Sequence, residues 1–211
     1  MIPSFEGAKD LESAMLRFAT AARSIMLQHD LHFGGRSWQI TALELYLFTK
    51  GSEVWRDPFT HGRDEQLNTG TWYVHDDGDS APNYSGIDIT AGSRQGGIYA
   101  GLLIRELDQN DGSARALQTI IRGEFSPKRA GNVWSPEEKE ILSTIHRGSV
   151  FSSPLRLVPR PVPRPAEPLW CGPRWGLNPK TAGAENVASA PLRLATWQTK
   201  KHKEKMRKCD D

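Results

Sequence analysis

Thr41-Ala42-Leu43-Glu44-Leu45-Tyr46-Leu47-Phe48 is the stretch on which the fold turns. In a strand, side chains alternate between two faces, so Leu43, Leu45 and Leu47 form an apolar stripe. Glu44, Tyr46 and Phe48 then share the other face. An acid set among apolar residues is costly to bury unless it is paired or used. The segment reads either as a half-exposed edge strand with a solvated Glu44 or as a buried strand carrying a working carboxylate.

The segments around it set the class. Leu11, Met15, Phe18, Ala22 and Ile25 recur at helical spacing, which predicts a helix over residues 8–29. His29-Asp30 and Gly34-Gly35 end it. After the polar loop from Gly51 to Gly70, strands are expected at Thr71–His75, Gly86–Thr90 and Ile98–Leu107, with turn signals between them. Ser135, Pro136 and Glu138 supply an N-cap, an N1 proline and a capping box for a helix running to Ile145 or His146. The expected fold is α+β, a single domain built on a curved antiparallel or mixed sheet with flanking helices. It spans residues 5–155, followed by a proline-rich linker at 156–169, a return segment at 170–195 contributing a final strand or turn, and a basic tail at 196–211.

Composition narrows the function classes. The 211 residues carry 27 basic and 25 acidic side chains, a net charge of +2 that by itself argues neither for nor against nucleic acid. Lys200, Lys201, Lys203, Lys205, Arg207 and Lys208 concentrate charge at the end, as a solvated terminus, a nonspecific DNA contact or a nuclear address. Two cysteines, Cys171 and Cys209, fit a reducing compartment better than a disulfide framework. The first residues lack signal-peptide character, and the apolar run Ile98–Ile104 is too short to span a bilayer. An intracellular protein without membrane attachment is expected, with the nucleus as the destination if the basic tail is an address. Six prolines between Pro154 and Pro168, interspersed with Arg156, Arg160 and Arg164, favour polyproline II, as a linker or as a weak ligand for an SH3-like partner. His29 and His32 have metal-ligand spacing at the end of the first helix, but no motif places a further ligand. No metal or other cofactor is assigned.

Taken in order, several motifs resemble those of the alkyladenine (3-methyladenine) DNA glycosylase family. They are Glu44-Leu45-Tyr46; His61 in Asp57-Pro58-Phe59-Thr60-His61; Tyr73-Val74-His75; Gly86–Thr90 with Gly101–Leu107; Pro173-Arg174-Trp175-Gly176; and Pro191-Leu192-Arg193. The resemblance covers roughly residues 36–195, with gaps. It implies monofunctional hydrolysis of an N-glycosidic bond to a damaged base in DNA. In that reading Glu44 activates water, Tyr46, His61 and His75 wall the base pocket, and Arg105 is a positioning cation; on the residues' own chemistry Tyr46 could stack on one side of a base and His61 or Tyr73 on the other. The chemistry is coherent: such hydrolysis needs a carboxylate beside a positioned water, and a flipped base needs flat walls.

The residues also leave other roles open. His61 could cap a turn, and His75 could be a surface histidine. Trp72 and Tyr73 point to opposite faces, so one belongs to the core. Asp88 could bond backbone amides, and Arg105 could pair with Glu44 or Asp88. The family carries a bulky aromatic wedge that has no clear equivalent in this chain; past the Tyr73 strand stands Asp76-Asp77-Gly78-Asp79-Ser80, whose aspartates would repel a phosphate backbone. The alternative is therefore a noncatalytic or small-ligand-binding protein of the same fold that has lost duplex binding.

Overall fold

The computed structural model describes residues 2–8, 10–52, 56–75, 85–108, 110–123, 134–165, 168–184, 187–197 and 205–209. The Asp76–Asp79 loop and Lys200–Lys203 of the basic tail lie outside the described residues. The fold is α+β, with antiparallel pairing throughout the described strands.

Helix α1 (Leu11–Gln28) starts at Asp10, whose carboxylate accepts from the Ser13 N–H at 2.8 Å. Its buried face is Ala14, Phe18, Ala21, Ala22 and Ile25, while Leu11 is exposed. The core stripe is thus rotated from the one read from spacing. The chain leaves the helix in extended geometry at His29 and enters β1 (His29–Phe33), which pairs with β2 (Arg36–Trp38). His29 and His32 therefore sit on a strand, three residues apart and on opposite faces, rather than at a helix end. His29 Nδ1 lies 2.9 Å from the Ser24 carbonyl oxygen and His32 Nε2 lies 3.2 Å from Ser37 Oγ.

The larger sheet is built from β3 (Ile40–Thr49), β4 (Thr69–Val74), β5 (Ile87–Ala91), β6 (Ile98–Leu107) and β7 (Asn110–Asp111), with α2 (Ser113–Arg122) following β7. Helix α3 (Pro136–Ile145) begins with the expected box: Ser135 Oγ accepts from the Glu138 N–H, and the Glu138 carboxylate accepts from the Ser135 N–H at 2.8 Å. Next come β8 (Arg156–Pro159), β9 (Trp170–Gly172), β10 (Arg193–Ala195) and β11 (Arg207–Lys208). The order is β11-β9-β10-β3-β6-β5-β4, with β7 beside β6, and β8 completes the small sheet as β2-β1-β8.

Two expectations are corrected here. The proline-rich segment does not start as a linker: Arg156–Pro159 pairs with His29–His32, and the Arg160 and Arg164 N–H groups donate to carbonyls at the end of α1. Proline is compatible with this place because β8 is an edge strand. The tail also returns to the fold, where Arg207 and Lys208 pair with β9 and the Cys209 N–H donates to the Leu169 carbonyl at 2.8 Å.

Leu43, Leu45 and Leu47 face the core that includes Phe18, Ile25, Ile89, Leu102 and Ile104. Trp72 is the core member of its pair, its indole N–H donating to the Leu155 carbonyl at 2.7 Å. The opposite sheet face carries the polar residues.

Candidate functional site

Register lines up one row of side chains across five strands. Arg193 on β10 is opposite Glu44 on β3, Glu44 is opposite Leu103 on β6, Leu103 is opposite Asp88 on β5, and Asp88 is opposite Tyr73 on β4. In the adjacent row Tyr46 is opposite Gly101, which is opposite Thr90. A register shift at Ala42/Leu43 places an extra residue on β6. Such a bulge re-aims side chains. Both Arg105 and Glu106, adjacent in sequence, reach the Glu44 side as a result.

Glu44 has no exposed surface. Oε1 accepts from the Trp175 N–H at 3.1 Å and from Arg193 Nη1 at 3.2 Å, Oε2 accepts from the Tyr46 hydroxyl at 3.2 Å, and Arg105 Nε lies 3.7 Å from Oε1. The same Arg193 also donates through Nη2 to Glu106, whose other oxygen accepts from the Trp197 indole N–H at 2.6 Å. A third buried carboxylate, Asp57, binds Arg174 in a two-pronged pair at 2.6 and 3.1 Å. Arg174 also donates to the Leu45 carbonyl at 3.1 Å and stacks over the Tyr46 ring at 4.4 Å. These pairs fix the Pro173–Gly176 turn against β3.

Beside this network lies a cavity of about 410 Å³, bounded by Tyr46, Phe59, His61, His75, Asp88 and Arg105 among others. His61 Nδ1 lies 2.9 Å from the Tyr73 hydroxyl, and the His61 and His75 ring centroids are 4.6 Å apart. His75 Nε2 lies 2.7 Å from Asp88 Oδ1, and Gln66 donates to Oδ2 at 3.5 Å. Gly101 makes room for that carboxylate: a Cβ there would lie 2.1 Å from Asp88 Oδ2. Burial, then the nearby Glu44 carboxylate, raises the Tyr46 phenol well above its usual range. Burial, then Asp88, does the same to Tyr73. Both phenols stay neutral at physiological pH.

The residues expected from sequence thus come together in two layers. Tyr46, His61, His75 and Arg105 line the cavity, Tyr73 braces His61 from behind, and Glu44 lies beneath Tyr46 and Arg105. Arg105 stands beside Glu44 and also borders the cavity together with Asp88. Asp88 bonds side chains rather than backbone amides. Sequence reasoning gave no role to Arg193, Arg174, Trp175, Asp57, Gln66 or Glu106. Arg193 and Trp175 belonged to matched motifs, but their partner Glu44 is 149 and 131 residues away, a distance no spacing rule spans.

The arrangement offers a half-polar slot for a flat ring, with a carboxylate–imidazole pair in its wall and a buried acid behind it. Compared with known protein families and with curated proteins, the chain matches no family model and no curated sequence.

Proposed function

We propose that this cavity holds a damaged purine base of DNA and that the protein hydrolyses its N-glycosidic bond without cutting the backbone. In this reading Glu44 activates the water, Tyr46, His61 and His75 flank the base with Tyr73 behind them, and Arg105 positions the reacting groups. One observation carries it. The motifs that resemble the glycosylase family are scattered from Glu44 to Arg193; Tyr46, His61, His75, Asp88 and Arg105 from them line one cavity, and the Trp175 N–H and the Arg193 side chain meet Glu44 beside it. A chance set of short matches has no reason to converge.

The second reading, a small-ligand-binding protein, is favoured by the state of Glu44. Both of its oxygens are engaged and it has no exposed surface, so a water reaches it once the side chains that cover it move. The two readings separate in one assay: release of free base from duplex and single-stranded DNA carrying hypoxanthine or an alkylated purine, for wild type and Glu44→Gln. Release that a folded Glu44→Gln variant loses supports the hydrolase. Binding of the free bases without release, measured by calorimetry, supports the ligand-binding protein.

A further inference from the structure

Four carboxylates are buried around the site, and their partners differ. Glu44, Glu106 and Asp57 are paired with arginines, which keep their charge at any physiological pH. Asp88, 1 % exposed, is paired with His75, and among the described residues it is the buried acid whose partner is an imidazole. Both members line the cavity. Histidine exchanges its proton near neutral pH, and of the two cavity histidines His75 is the one held by a buried carboxylate, while His61 meets the Tyr73 hydroxyl, so the His75–Asp88 pair is the place best built to pass a proton to a ligand.

The pair is also held in place. Gln66, itself buried, reaches Asp88 Oδ2 at 3.5 Å, and the missing Cβ of Gly101 leaves the carboxylate its space. The His75 backbone N–H donates to the Gly86 carbonyl at 2.9 Å. Other groups around the imidazole come from each neighbouring element. They are the Tyr73 phenol on β4, with a ring distance of 5.2 Å, His61 from the preceding loop at 4.6 Å, and Arg105 of β6 and Tyr46 of β3 across the cavity. His146 packs on Tyr73 from the far side and lies near Glu65.

We infer that His75, oriented by Asp88, is the general acid that protonates the departing base; this rests on the hydrolase reading above. A neutral purine leaves as an anion unless it receives a proton. In the step the C1′–N bond breaks and its electron pair passes to the base nitrogen, which takes the proton from the His75 imidazolium. The water oxygen bonds to C1′ and its proton goes to Glu44. The products are free base and a hydroxylated sugar, and the two side chains regain their starting states by proton exchange with solvent. Asp88 acts as a positioning residue, holding the ring and stabilising its cationic form, as a carboxylate does for a catalytic histidine elsewhere.

The test compares two leaving groups in the full-length protein. Hypoxanthine needs the proton; 7-methylguanine, already cationic in the nucleoside, leaves as a neutral base without one. His75→Gln lowers release of both, because His75 is a wall of the pocket, but lowers hypoxanthine release about 100-fold more, the usual scale of general-acid assistance. Since both substrates meet the same enzyme, a folding defect cancels in that ratio. In wild type, hypoxanthine release falls as pH rises through the imidazolium ionisation while 7-methylguanine release does not; Asp88→Asn moves or flattens that limb. Equal loss of both bases in His75→Gln, with the wild-type pH profiles alike, overturns the role of His75 and leaves the hydrolase reading standing. Release of neither base by folded wild type overturns both.

Discussion

Replacing Arg193 by Met tests whether the buried charges hold the site together. Arg193 has no exposed surface and bridges Glu44 and Glu106. Methionine keeps much of the apolar stem, so packing loss is small and the missing guanidinium dominates. Glu44 would retain the Trp175 N–H, the Tyr46 hydroxyl and the more distant Arg105, while Glu106 would retain the Trp197 indole. Two carboxylates would then share a buried space with one arginine fewer. Removing one partner of a buried ion pair costs about 3–5 kcal/mol, against a total stability of about 5–15 kcal/mol for a typical domain. With a urea m-value toward the upper end of about 1–3 kcal/mol/M, the midpoint falls by about 1–2 M. The control is the triple variant Arg193→Met, Glu44→Gln, Glu106→Gln. Neutralising the stranded acids recovers most of the loss, because whole buried ion clusters are near neutral to stability. Equilibrium urea unfolding followed by tryptophan fluorescence gives both numbers. A loss below about 1 kcal/mol in Arg193→Met, or a triple variant no more stable than the single one, refutes the argument.

Gly101→Ala puts a Cβ 2.1 Å from Asp88 Oδ2; it should cost about 1–3 kcal/mol in urea unfolding and weaken purine-base binding in calorimetry as Asp88 shifts. The Arg122 hydrogen bond holds the Glu138 carboxyl below the usual carboxylate range. A depressed folded pKa contributes stability above the unfolded value of about 4.3 and loses it as pH falls through the folded one, so Glu138→Gln is less stable than wild type at pH 7, by at most about 1 kcal/mol for this partly buried pair, and in a urea series the gap narrows as pH falls below about 4.3 and is lost below the folded pKa. Burial, then the adjacent Cys171 thiol, pushes Cys209 up to about 12, so at pH 8 iodoacetamide should alkylate it about 100-fold or more slowly than free cysteine, as read by mass spectrometry.

Local patterns were legible wherever one face decides the structure. Alternation over Thr41–Phe48 placed Leu43, Leu45 and Leu47 in the core, and Ile98–Leu107 was read to its observed ends. The Ser135–Glu138 cap was legible because capping chemistry is local to four residues. Helix α2 was missed: its N-cap is Gly112, with no side-chain hydrogen bond to announce it. The left-handed Gly123 after Arg122 was the available signal. Around Arg156–Pro159 the prolines of the Pro154–Pro168 stretch correctly excluded helix and central strand, but extended backbone fits an edge strand as well as a linker. Composition cannot tell which neighbour supplies the hydrogen bonds.

The site was half legible for a related reason. Period-two alternation tells which residues share a face, so Glu44 with Tyr46, and Tyr73 with His75, could be placed together. It does not tell what stands opposite them. Glu44, Asp57 and Glu106 are tolerable in a buried layer because Arg174 and Arg193 arrive from the return segment after the proline-rich stretch. β10 lies directly against β3, with Arg193 in register with Glu44, so that segment is an interior part of the sheet. The polar face is therefore assembled from both ends of the described chain, and its charges balance only when the sheet is complete. The cavity follows from this balance: the arginines immobilise three of the four acids, and the fourth, Asp88, is left to a histidine at the cavity wall.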